Sequence, residues 1–166
     1  MSNRSGSAVG AALLVLAGGV TVAAEPEGST AADPRVTESL RAAGLDFEMD
    51  EGDFRLAYNL DGDRSQRVWV ASGTTRVDRL EMRDVWSVAA RGPGEVPVDL
   101  ARLLLKENVR MVLGAWQVNQ GQDEYLVVFS APVEATASPA TLQEVIEVVM
   151  FSADRIEKQL SPTDAF

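Results

Sequence analysis

The spacing of apolar residues along this chain switches between helix-like and strand-like periods, and the switches predict its elements. Asp33-Pro34 opens a first helix, because an Asp side chain can cap free N–H groups and a proline at the first helical position has none to waste. Val36, Leu40 and Ala43 then share one side, and Gly44 ends the helix by accepting a left-handed backbone. Period-two alternation follows. Leu45, Phe47 and Met49 alternate with acids; after "EGD" come Phe54, Leu56, Tyr58 and Leu60; after "DGDR" come Val68 and Val70 around Trp69. Such runs punctuated by Asp-Gly turns predict antiparallel hairpins. A fourth strand is expected within "RLEMRDVWSVAA", although Val77, Leu80 and Val85 also suit a short helix over residues 76–90.

"RGPGEVP" breaks the pattern, and "VDLARLLLKEN" restores a helical one, with Leu100, Leu103 and Leu104 expected inward. Strands at "GAWQVN" and "EYLVVFSA" follow, joined by "QGQD". Ser138-Pro139 starts a last helix that runs to about Leu160. The expected fold is α+β: an antiparallel sheet of about five or six strands with three helices, in the order α-β-β-β-(β)-α-β-β-α.

On a helical wheel, Leu142, Val145, Ile146, Val149, Ala153, Ile156 and Leu160 fall within about 60° of one line. Glu144, Glu147, Asp154, Arg155 and Lys158 are expected on the opposite side, and Phe151 sits among them, with Val148 and Met150 flanking the stripe. Single exposed apolar residues are common, and a loop could cover this one; the alternative is contact with a partner chain. "EYLVVFS" is apolar on both faces, with Leu126 and Val128 on one and Tyr125, Val127 and Phe129 on the other. Trp69 and Trp86 likewise point away from their valine neighbours. A sheet covered on one side only should be polar on the other, so either helices cover both faces or the second face meets another molecule. A two-fold homodimer is the simplest such partner. The expected contact residues are Phe151, Val148, Trp69, Trp86 and Tyr125.

The first residues carry a different message. Arg4 is the only charge in residues 1–24, and an apolar, small-residue run leads to "TVAA", with Val22 and Ala24 at the places of a small-residue cleavage site. This is the layout of a secretory signal peptide cut after about Ala24. The rival is a retained N-terminal membrane anchor, but the apolar run is about 13 to 17 residues, short of the roughly 20 that span a bilayer. Residues 25–33 form a polar, Pro/Gly/Ser-containing linker, residues 34–161 a single domain, and residues 162–166 a tail. Export to the periplasm or beyond is the expected location, with no membrane insertion after cleavage.

Charge and chemistry narrow the function. The formal charge is −10, and loss of Arg4 with the leader makes it one unit more negative. That surface repels nucleic acid and anionic membranes. The chain has no Cys, so its stability must come from a core, without disulfides. With no His either, imidazole acid–base work, thiol nucleophiles and the usual zinc and iron ligands are excluded. Lys106 and Lys158 are the only lysines and are expected on outer helix faces. No cofactor or metal is implied. Asp46, Glu48, Asp50, Glu51, Asp53, Asp61 and Asp63 cluster at two turns. They suit a carboxylate hydrolase or a calcium site on paper, but neither turn has full EF-hand spacing, and Asp-Gly turns need no further function.

The segment from "LLLKENVRMVLGAWQV" to "SADRIEKQL" resembles the C-terminal half of YbjN-family domains: a leucine-rich helix ending in Asn108, a small-aromatic strand, a Thr-led helix start at Thr141 and the pair Ala153-Asp154. "SLRAAGLDFEMDEGDFRL" is similar to the family's opening helix and hairpin, so the likeness covers about residues 35 to 160. The resemblance implies a fold like that of type III secretion chaperones, with helices packed on a curved antiparallel sheet, and proteins that dimerise and bind extended protein segments. The family is labelled a sensory-transduction regulator, and its pattern carries no catalytic motif. A signal peptide would set this chain apart from cytosolic secretion chaperones. The expected function is thus a non-enzymatic protein-binding or regulatory module of the bacterial envelope, with the acidic-turn hydrolase or calcium protein, or a structural envelope component, as alternatives.

Overall fold

Asp33 holds the position its sequence context predicts. Its carboxylate accepts a 2.9 Å hydrogen bond from Arg35 N, and Pro34 begins α1 (Pro34–Ala42), which closes as Gly44 takes φ +69°. The computed structural model describes residues 31–161 and 166; the leader and its cleavage point, the linker up to residue 30 and residues 162–165 lie outside them. After α1 come β1 (Glu48–Asp50), β2 (Asp53–Leu60), β3 (Arg64–Val70), β4 (Thr75–Val77) and β5 (Leu80–Pro93). They are followed by α2 (Val98–Asn108), β6 (Ala115–Gln120), β7 (Glu124–Glu134) and α3 (Pro139–Leu160). The fold is α+β, and its seven strands form one antiparallel sheet in the order β1-β2-β3-β5-β7-β6, with β4 paired to β5.

The hairpins follow from their turn residues. Glu51 and Gly52 both have positive φ (51° and 96°) between the paired Asp50 and Asp53. A two-residue turn of that hand matches the twist of its flanking strands. Asp78, at φ 54°, makes a similar turn between Val77 and Leu80. That turn creates β4, the strand beyond the five or six expected, and makes residues 80–93 strand rather than helix. At the start of α3, Ser138 Oγ accepts from Thr141 N at 3.1 Å.

One face of the sheet carries the core. Phe54, Leu56, Val68, Val70, Val85, Val127, Phe129 and Ala131 all point to it, and Val36 and Leu40 of α1, Leu104 of α2 and the apolar stripe of α3 pack on the same side. All three helices therefore form one layer. Met150 joins the buried stripe, while Leu160 at its end is 39% exposed. Two expectations change. Met49 is exposed, because β1 begins only at Glu48 and Leu45 and Phe47 pack on the core before it. In α2 Leu104 is buried but Leu100 and Leu103 are only half-buried, since among strands this helix lies chiefly on β6 at the sheet edge.

The largest departure is at Asp154, expected in solvent. It is buried, as is Glu157, one turn further along α3. Met150, Asp154 and Glu157 form a flank of the stripe, and Arg64 of β3 meets it: Nε lies 2.7 Å from Asp154 Oδ1 and Nη2 lies 3.0 Å from Glu157 Oε2. The second contact is an ion pair without hydrogen-bond alignment.

Candidate functional site

The three helices contribute to the core on the first sheet face. Trp69 of β3 and Trp86 of β5 stand opposite each other in register on the second face. Their rings stack with centroids 4.4 Å apart and planes 6° from parallel. Trp69 Nε1 donates to Asp50 Oδ2 at 2.8 Å, which anchors one ring to β1. Beside the pair, Val88 and Val128 face each other across β5 and β7 and are buried outside the main core cluster.

Beyond the tryptophans the sheet splits. β3 and β5 are paired only at Trp69–Trp86 and Val70–Val85. A bulge between Val88 and Ala90 then bends β5. Side chains replace the missing ladder bonds: Gln66 Nε2 donates to Ser87 Oγ and to Val88 O, both at 2.8 Å, and Ser87 Oγ donates to Arg67 O at 2.6 Å. This bridge satisfies buried backbone that strand pairing leaves open.

The split opens a cleft of about 770 Å³, lined by Arg55, Arg67, Trp69, Trp86, Arg91 and Tyr125 together with apolar side chains that include Leu100, Leu126 and Leu160. The Tyr125 ring lies directly over Gly92, where an added Cβ would come within 2.6 Å of its hydroxyl oxygen. The arginines differ in state. Arg55 Nη2 is 2.5 Å from Glu48 Oε2, and its Nη1 is 3.9 Å from Asp50 Oδ2. Arg67 and Arg91 are exposed and make no ion pair among the described residues. Glu157 lines one wall, but Arg64 compensates its charge.

The other side of the molecule is the outer surface of the helix layer. Phe151 is 57% exposed, Val148 is 39% exposed, and Leu105 and Val109 of α2 and its end are 68% and 88% exposed. Arg155 Nη2, one turn beyond Phe151, lies 2.7 Å from Glu107 Oε2, which ties α3 to α2.

The structure thus brings Trp69 and Trp86 together on the second sheet face, puts Tyr125 on the core side of β7 at the margin of the same cleft, and leaves Phe151 and Val148 on the outer surface of α3, so the expected residues do not form one surface. Sequence reasoning missed Arg67, Arg91, Leu105 and Val109. The alternation Arg67, Trp69 against Val68, Val70 marks Arg67 as facing outward with the ring. Arg91 has no such signal, because the bulge resets the alternation before it.

The acidic turns serve separate local tasks. Glu48 pairs with Arg55, Asp50 accepts from Trp69, and Asp53 accepts from Ser72 N at 2.8 Å. Asp46, Glu51, Asp61 and Asp63 are exposed at the surface. Among the described residues no group of three or more His, Cys, Asp or Glu is placed to hold a metal ion. None of their helices is long and apolar enough to cross a membrane. The chain matches no protein-family model, and no curated protein matches it.

Proposed function

We propose that the protein is a non-enzymatic binding and regulatory module of the bacterial envelope, which pairs with a second copy of itself through its helix layer. The observation that carries this reading is the exposure of Phe151 and Val148 on α3 and of Leu105 and Val109 in α2 and at its end. Several exposed large apolar side chains on one side of a molecule favour association over solvation. Charge supports a two-fold partner. α2 carries Asp99 in its first turn and Lys106 in its last, so an antiparallel copy of α2 brings opposite charges together at each end. The residues similar to YbjN-family domains are in keeping with a regulatory role without catalysis, and the leader-like residues 1–24 with work outside the cytoplasm.

Sedimentation equilibrium tests the pairing. The wild-type chain is expected to be dimeric at micromolar concentration. Phe151→Ala is expected to weaken the dimer by about 2 kcal/mol, roughly 30-fold, because a central aromatic ring carries a large share of interface energy. At concentrations where both chains are monomeric its urea midpoint should stay unchanged, since the ring is more than half exposed. A monomeric wild type, or a variant that unfolds more easily but associates as before, would remove this reading. Location is tested separately by mass spectrometry of the envelope-derived protein, for which an N-terminus at Glu25 is expected; a chain that retains Arg4 would speak for an anchor.

A further inference from the structure

We propose that the cleft at the sheet split is a binding site for a small planar aromatic anion, held by its ring on the Trp69–Trp86 side and by its charge on Arg67 and Arg91. The site lies at the split between β3 and β5, where Leu100 of α2 and Glu157 and Leu160 of α3 also line it, and it includes none of Phe151, Val148, Leu105 and Val109.

Three observations converge on this ligand class. The first is size. A cleft of about 770 Å³ falls within the range of roughly 300–1,000 Å³ typical of small-molecule sites. The second is the wall. Stacked indole rings and Leu126, with the Tyr125 ring at the cleft margin, present flat apolar surface to it.

The third is charge. In a chain with a formal charge of −10, two guanidinium groups without ion pairs face one cleft. Arg55 is already neutralised by Glu48, and Glu157 by Arg64. Among the described residues, Arg67 and Arg91 are thus the charged side chains of the lining that have no ion pair. Guanidinium groups take carboxylate, sulfonate or phosphate oxygens through paired N–H donors. The wall beside Glu157 and Ser161 carries the C-terminal end of α3, whose carbonyls disfavour an anion. That polarity orients the ligand with its anionic end toward Arg67 and Arg91.

Fluorescence titration of the full chain with two probes tests the assignment. 8-Anilinonaphthalene-1-sulfonate carries the ring and the anion; N-phenyl-1-naphthylamine carries the same rings without charge. The sulfonate is expected to bind with one-to-one stoichiometry and at least about tenfold tighter than the amine. Arg67→Gln with Arg91→Gln should lose about tenfold in sulfonate affinity and leave the amine unaffected. Both side chains are exposed, so the double variant should keep the wild-type urea midpoint. Phe151→Ala should leave sulfonate binding intact, which separates this site from the exposed helix layer. Equal affinity for the two probes, an unchanged sulfonate affinity in the double variant, or loss of binding in Phe151→Ala would each overturn the proposal.

Discussion

Replacing Arg64 by methionine is expected to lower the folding free energy by about 3–5 kcal/mol, the usual loss when one partner of a buried ion pair is removed. The Arg64 side chain is 10% exposed, and its partners Asp154 and Glu157 are 7% and 1% exposed. Without the guanidinium, two carboxylates remain under the helix layer with their main counter-charge gone. Lys158 also reaches Asp154 at 2.7 Å, but it is half exposed and does not meet Glu157. Urea unfolding followed by circular dichroism reads the loss, which is a large part of the about 5–15 kcal/mol that keeps a typical domain folded. A companion variant sharpens the test. Adding Asp154→Leu and Glu157→Leu to Arg64→Met should restore most of the stability, because an apolar trio of similar volume needs no charge compensation. If Arg64→Met alone costs less than about 1 kcal/mol, the ion pairs are not under strain from burial and this account is wrong.

Asp33→Ala is expected to cost a similar about 3–5 kcal/mol, for a different combination of reasons. Asp33 caps α1 and also accepts a 2.7 Å hydrogen bond from Nη2 of Arg83, whose side chain is only 2% exposed. Arg83 is otherwise held by backbone carbonyls, Ala71 O at 2.7 Å and Ser72 O at 3.3 Å. The substitution therefore removes a cap worth about 1 kcal/mol and leaves a buried guanidinium without its anion. Asp33→Asn separates the two contributions: it keeps the cap and lacks the charge, so it should recover about 1 kcal/mol of the loss. Full recovery in the Asn variant would show that the charge of Asp33 is unimportant.

The same acids set an acid limit on stability. Burial pushes the Asp33 carboxyl up, but hydrogen bonds from Arg35 and Arg83 outweigh it and hold the group well below the usual carboxylate range. Burial also pushes Asp154 up, and hydrogen bonds from Lys158 and Arg64 reverse that to a net lowering. For a depressed carboxylate, the stabilisation is complete above its ordinary value of 3.8 and is lost as the pH falls toward the folded value. The urea midpoint of the wild type should therefore fall on acidification below about pH 4, and Asp33→Ala should fall less steeply. Parallel pH profiles for the two would exclude Asp33 as a source of the acid sensitivity.

Much of this protein was settled by short-range pattern. The Asp33-Pro34 and Ser138-Pro139 helix starts, the Glu51-Gly52 turn and the alternation of Phe54, Leu56, Val68 and Val70 all act within a few residues, so the sequence by itself determined them. The absence of His and Cys and the negative charge are likewise properties of the chain alone. β4 escaped notice because three residues, Thr75–Val77, are too few to show a period. Tertiary structure alone decided which flank of α3 is buried, because Arg64 reaches Asp154 and Glu157 from ninety or more positions away and makes their burial tolerable. It alone placed Phe151 and the Trp69–Trp86 pair on opposite sides of the sheet, since a helical wheel gives directions around one axis and says nothing of which sheet face that axis lies on. The arginine-lined cleft belongs to the same class: it exists because two strands that pair at Trp69 and Trp86 part beyond them, and the bulge that helps them part changes the alternation on which sequence reading depends.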